Sequence, residues 1–227
     1  ERAKMDATLI PFLSKGVYYL VLAAVLIAVL NLFGVETTSL VAVMGAAGLA
    51  VGLALQGTLA NFAAGVMLLV FRPARAGDFV EVAGVSGTVR EIGVFTTTMT
   101  TPDSVRIIVP NGSIFGTTIK NYSANDTRRN DIVVGIAYDD DIGLAIETIR
   151  SVLAEDGRVL KEPEAVVAVS EMADSSVNLV VRPWCASTDY WPLRFDLMRT
   201  LKERLEPAGC SIPFPQRDVH VIPPAAS

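Results

Sequence analysis

The hydrophobic pattern divides the chain near Phe71. Before it lie two runs without a charged side chain, Gly16–Val35 and residues 37–71. The first run suits one crossing of a ~30 Å hydrocarbon core. The second, at ~1.5 Å per residue, would be ~52 Å long as one straight helix, well beyond that thickness. Its character changes at Gln56-Gly57-Thr58, where polar side chains and a glycine mark a kink site. Beyond that point Leu59, Phe62, Val66 and Leu69 recur at helical spacing, which suits a helix lying at the membrane interface. The pattern therefore predicts a transmembrane region over residues 1–71: one helix over about 8–33, a spanning helix over about 37–56, and a kinked interfacial helix over about 58–71.

After Phe71 the period shortens. The runs DFVEV, GTVREI, TTTMTT, VRIIVP and TTIKNY are β-rich and separated by turn signals at Gly84, Gly87 and Pro110-Asn111-Gly112. They predict a small β-barrel of about five strands in a domain over residues 72–126. Residues 127–227 read as strand, helix, strand, strand, helix, strand. The helices are Ile142–Glu155 and Pro192–Glu206, and the strands lie near 131–137, 165–171, 176–183 and 218–222. That order predicts a ferredoxin-like α+β domain ending in a C-terminal strand.

The second apolar run has an unusual content. Residues 45–65 hold five glycines and seven alanines. Each glycine costs a helix roughly 1 kcal/mol relative to alanine, and close helix–helix approach in a membrane is the usual compensation. On a helical wheel starting at residue 42, Ala42, Ala46 and Ala50 fall at ~0°, ~40° and ~80°. Gly45, Gly48 and Gly52 fall at ~300°, ~240° and ~280°. Leu49 and Leu53 lie between these faces at ~340° and ~20°, and Met44, Val51 and Leu55 lie opposite near ~200°. Two different small faces suit a heterologous contact that closes into a ring. Faces ~125° apart correspond to roughly six or seven copies, and a ~20° spread in packing widens that to about five to ten. The leucines would then point at the axis as an apolar constriction that blocks ions by dewetting. A small-residue packing helix of an ordinary membrane bundle is the other reading of the same composition.

Composition fits this division. The chain is 51% hydrophobic with mean hydropathy +0.45, and the excess sits before Phe71. Arg2, Lys4 and Lys15 precede the first run, Arg72 and Arg75 follow the second, and only Glu36 lies between. Positive flanks face the cytoplasm, so residues 34–38 are expected outside and residues 72–227 in the cytoplasm. The first run is not a signal peptide, because a charged segment precedes it and no small-residue cleavage site follows. The chain begins at Glu1 rather than Met, which implies a segment upstream. A net charge of −5, without a basic stripe, argues against nucleic acid. Cys185 and Cys210, in a cytoplasmic domain, are expected to be buried thiols rather than a disulfide.

Little points to catalysis. Asp139-Asp140-Asp141 precedes a helix, so N-capping is favoured over a metal site. His220 is the only histidine and lacks positioned partners. Trp184 and Trp191 are expected to pack at a domain edge rather than bind a ligand. No phosphate-loop or dinucleotide fingerprint is present. No cofactor, metal or enzymatic activity is expected.

The segment AVMGAAGLAVGLALQGTLANFAAGVMLLVFRPARAGDFV (42–80) resembles the pore-helix signature of the small-conductance mechanosensitive channel (MscS) family. The resemblance continues through GTVREIGVFTTTM, IIVPNG, RRNDIVVGIAYDDDI and SIPFPQRDVHV, over nearly the whole chain, and is close to the family's type member. It implies a membrane α-helical pore followed by an all-β (Sm-like small barrel) and an α+β (ferredoxin-like) cytoplasmic domain. It also implies a homoheptamer in the bacterial inner membrane, opened by tension, with membrane lipids, permeant ions and small osmolytes as partners. Leu49 and Leu53 match the pore gate. Ala42, Gly45, Ala46, Gly48, Ala50 and Gly52 match the pore-helix packing contact. Gln56 and Gly57 match the kink, and Asn61 and Gly112 a helix–vestibule contact. Asp6 is a candidate salt-bridge partner of Arg72 or Arg75. The family's first transmembrane helix has no counterpart here, Pro11 stands where the family pattern has an aspartate, and Tyr18 replaces a basic residue.

The function expected on these grounds is a mechanosensitive channel releasing ions and osmolytes during hypoosmotic shock. The alternative is a non-conducting membrane scaffold or receptor with a cytoplasmic partner-binding domain. The leucine stripe between two small faces separates them, because a scaffold does not require it.

Overall fold

A computed structural model describes residues 9–219; Asp6 and His220 lie outside the described residues. The chain forms two compact units. The first contains two long helices together with the segments Ile92–Thr97 and Ile108–Gly116. Helix α1 spans Leu9–Leu32 and α2 spans Thr38–Phe71. Both are long and apolar enough to cross a membrane. A Schellman turn ends α1: Gly34 takes φ +78°, its N–H reaches the Asn31 carbonyl, and the Val35 N–H reaches Leu30. The Asn31 side-chain amide donates to Thr37 Oγ1 at 3.3 Å across this turn.

Helix α2 is a single element. The expected division into 37–56 and 58–71 does not appear as an interruption at Gln56-Gly57. Asn61 Nδ2 also donates to the Gly57 carbonyl at 2.9 Å, one turn back. Arg72 closes α2 in the left-handed conformation, donating its backbone N–H to Leu68 and its Nε to the Leu69 carbonyl, and Pro73 prevents continuation.

The second unit contains the rest of the β-rich part and the whole α+β part. A five-stranded sheet has the order β4-β3-β2-β1-β5, with β1 Phe79–Val82, β2 Val85–Ile92, β3 Thr96–Thr100, β4 Arg106–Pro110 and β5 Lys120–Asn121. Strands β1 and β2 are joined by Ala83-Gly84, both at positive φ, as a two-residue hairpin turn requires. Alternation buries Val80, Val82, Val89 and Met99 inside this sheet.

A short ribbon pairs β6 (Thr127–Arg129) with β10 (Trp184–Ala186). The sheet of the α+β part has the order β7-β9-β8, with β7 Ile132–Ile136, β8 Val166–Met172 and β9 Val177–Arg182. Both flanking strands run antiparallel to the central one, the arrangement of a split βαβ unit. The sheet shares one apolar core with α4 (Ile142–Glu155) and α5 (Tyr190–Leu205). Leu193, Leu197, Leu201 and Leu205 recur every fourth residue on α5, and all are buried. Cys185 and Cys210 are free and lie in this core, where burial pushes both thiols up.

Asp141 caps α4, accepting from Gly143 N at 2.8 Å and Leu144 N at 3.1 Å. Replacing Asp141 with Ala should destabilise the domain by about 1 kcal/mol. An unchanged denaturant midpoint would show that the cap contributes nothing. Asp140 has a different task. Its Oδ2 accepts from Ala137 N at 2.9 Å and Ser211 N at 2.7 Å, pinning the segment after α5.

The expected strand at 218–222 is not found over its described part. Residues 211–219 carry no regular strand, and residues 220–222 lie outside the described residues. A strand needs a neighbour for its backbone groups. Trp191 also departs from expectation: it is 55% exposed rather than packed away.

Candidate functional site

From Thr38 to Ala60 no residue of α2 is buried against the described chain. Leu49 and Leu53 are 66% and 63% exposed. A β-carbon built on Gly45, Gly48, Gly52 or Gly57 would have nothing within 4 Å. Nothing among the described residues accounts for these four glycines. Ala42, Ala46 and Ala50 are likewise open, on a second face of the same helix.

Gly65 is the opposite case. A β-carbon there would overlap the Val94 carbonyl oxygen and the Asn111 side-chain amide. The end of α2 docks here, with Ala64, Gly65 and Leu68 buried. Its partner is α3 (Asn111–Phe115), with the loop around Val94. Asn111 is fully buried and fully bonded. Its Nδ2 donates to the Gly93 carbonyl at 3.0 Å and the Val94 carbonyl at 3.1 Å. Its Oδ1 accepts from Thr97 Oγ1 at 2.8 Å, and its backbone N–H donates to Phe95. Phe62 and Phe95 add a tilted ring contact at 6.2 Å between centroids.

The structure brings Asn61 and Gly112 together. Asn61 Oδ1 accepts from Gly112 N at 2.8 Å while its Nδ2 holds Gly57. One side chain therefore ties the weak point of α2 to the start of α3. Replacing Asn61 with Ala leaves the Gly112 N–H without its acceptor. Amide exchange at Gly112 should accelerate about fivefold, as loss of a net ~1 kcal/mol hydrogen bond implies. An unchanged exchange rate would refute the coupling.

Arg72 and Arg75 take part in no ion pair among the described residues. Arg75 N donates to Asp78 Oδ2 at 2.9 Å. Their candidate partner Asp6 is outside the described residues. Asn111, Val94 and Gly65 are contact residues that sequence patterning did not single out. Asn111 reads as a turn residue, and Gly65 as one more glycine in a series.

Three family models match the chain. They are mechanosensitive ion channel, transmembrane helices 2/3, over residues 15–56; mechanosensitive ion channel, beta-domain, over 57–124; and mechanosensitive ion channel MscS, C-terminal, over 130–212. A small-conductance mechanosensitive channel of Edwardsiella ictaluri is 51% identical over 217 residues, 96% of this chain and 76% of the relative. The chain belongs to the MscS family of mechanosensitive ion channels. The small-conductance mechanosensitive channel MscMJ of Methanocaldococcus jannaschii is 31% identical over 224 residues, 96% of this chain and 63% of that protein. Among solved structures, Helicobacter pylori MscS in its closed state superposes with a TM-score of 0.89 at 30% identity, covering 98% of this chain and 88% of that one. The MscS fold agrees with the architecture above: N-terminal helices, a β-rich domain, then an α+β domain. The family places the chain among membrane channels rather than enzymes.

Proposed function

We propose that this channel is gated by membrane tension and releases ions and small osmolytes during hypoosmotic shock. Copies of α2 line the pore, the alanine face of one against the glycine face of the next, in a ring of seven as the family resemblance implies. Leu49 and Leu53 form the closed barrier by dewetting. Gln56 and Gly57 are the place where α2 bends on assembly, and Asn61 and Gly112 transmit that bend to the vestibule. The protein crosses the bacterial inner membrane more than once, with residues 72–227 in the cytoplasm.

One observation carries this reading. Four glycines on α2 have no neighbour among the described residues, yet each weakens the helix. A contact outside the chain is the physical account of them, and the leucines beside them face wherever that contact closes. Tension favours whichever state occupies more membrane area, and smooth small-residue faces let helices slide to reach it. The test is reconstitution of the full-length protein in liposomes and patch recording under suction. Tension-dependent currents support the reading. Their absence favours a non-conducting scaffold.

A further inference from the structure

A cavity of about 580 Å³ lies in the second unit, between the β-sheet part and the α+β part. Phe79, Pro102, Tyr122 and Ser123 line one side, and Arg128, Trp191 and Phe195 the other. Its size falls within the range of small-molecule sites, which favour domain junctions and aromatic walls with few polar groups. The walls are flat. Trp191 stacks on Phe195 at 5.6 Å, and Phe79 lies 6.0 Å from Tyr122. Trp191 and Phe195 are 55% and 64% exposed, although they flank the buried Leu193.

Arg128 is the charged group of this cavity. Its guanidinium carbon sits 3.7 Å from the Tyr190 ring centroid and 5.0 Å from that of Tyr122. Stacking on rings engages the faces of a planar guanidinium and leaves its N–H edge for an oxyanion. None of the ion pairs among the described residues involves Arg128, and no carboxylate lines the cavity. The neighbouring carboxylate Glu81 is already engaged, accepting from Lys120 Nζ and Tyr122 Oη at 2.7 Å each. Ser123 Oγ accepts from Phe79 N at 3.0 Å, and its hydroxyl proton is left as a second donor.

We propose that this cleft binds a flat apolar monoanion, an aromatic carboxylate, with its carboxylate on Arg128 and its ring between the aromatic walls. The Arg128 guanidinium, with no carboxylate in the lining, selects the anion, and the rings select the flat body. The cleft shares no lining residue with the α2 contact, and binding read without tension stands or falls separately from the channel reading.

The test uses the full-length protein with 6-fluoro-2-naphthoate and its neutral amide, read by fluorine NMR titration without tension. Arg128→Gln should weaken the carboxylate about tenfold or more and change the amide less than twofold, as loss of a charge-assisted bond implies. Arg128→Lys should retain part of the carboxylate affinity. Trp191→Ala, at an exposed position, should weaken both probes. A structure with the iodinated naphthoate should place the iodine in the cleft. Equal carboxylate affinity in the parent and Arg128→Gln, unaltered binding in Trp191→Ala, or a neighbouring copy's side chain filling the cleft in the assembled protein would each overturn the proposal.

Discussion

Replacing Leu53 with Ser should make the channel open at much lower tension. Leu53 is 63% exposed in its own chain, so the substitution disturbs no packing within the subunit. Its effect therefore falls on whatever Leu53 faces after assembly. A buried leucine contributes roughly 2 kcal/mol of apolar transfer. Over a ring of several copies the closed state then loses on the order of 10 kcal/mol. Serine hydroxyls also hold water in a constriction that otherwise dewets. Leu49→Ser, one turn away, should act in the same direction. Patch recordings that gave an unchanged threshold and conductance for Leu53→Ser would remove the gate assignment.

Replacing Gly65 with Ala should loosen the docking of α2 on α3. The new β-carbon would meet the Val94 carbonyl and the buried Asn111 amide, neither of which is a flexible side-chain end. Overpacking of this kind costs about 1–3 kcal/mol. Gly65→Val should cost more, since its branched β-carbon adds bulk at the same place. The readout is amide exchange at Asn111, whose N–H is held by Phe95, and at Gly112, held by Asn61. Both should exchange at least about fivefold faster. Gly57→Ala is the control, because open space surrounds Gly57 in the chain and both amides should stay protected. Equal protection in Gly65→Ala and Gly57→Ala would mean that the docking contact tolerates a methyl group.

Much of the architecture was legible because period and punctuation agree over long segments. Helix α4 occupies its expected range, since an acidic cap precedes a strong apolar stripe. Helix α5 starts at Tyr190 rather than Pro192, because the turn at Ser187–Asp189 winds directly into it. The ribbon of β6 and β10 escaped notice: three-residue strands such as Thr-Arg-Arg carry no alternation to read. No periodicity reveals the side-chain bond from Asn61 to Gly57 within α2. The glycines show the limit best. Gly52 and Gly65 look alike in sequence, and only the folded chain separates the one with open space around it from the one without room for a methyl group. Asn61 and Gly112 were paired through family resemblance. Asn111, one residue away and more deeply buried, stayed hidden inside a turn signal.

The uncovered glycines of α2 set a conflict for anyone trying to improve this protein. Changing Gly45, Gly48 and Gly52 to alanine would stiffen the lone helix by about 1 kcal/mol at each position. A screen for yield or thermal tolerance of single subunits would reward all three. The same methyl groups would roughen the surface on which one copy slides past another. Selection for a better-behaved monomer would therefore select against a working valve.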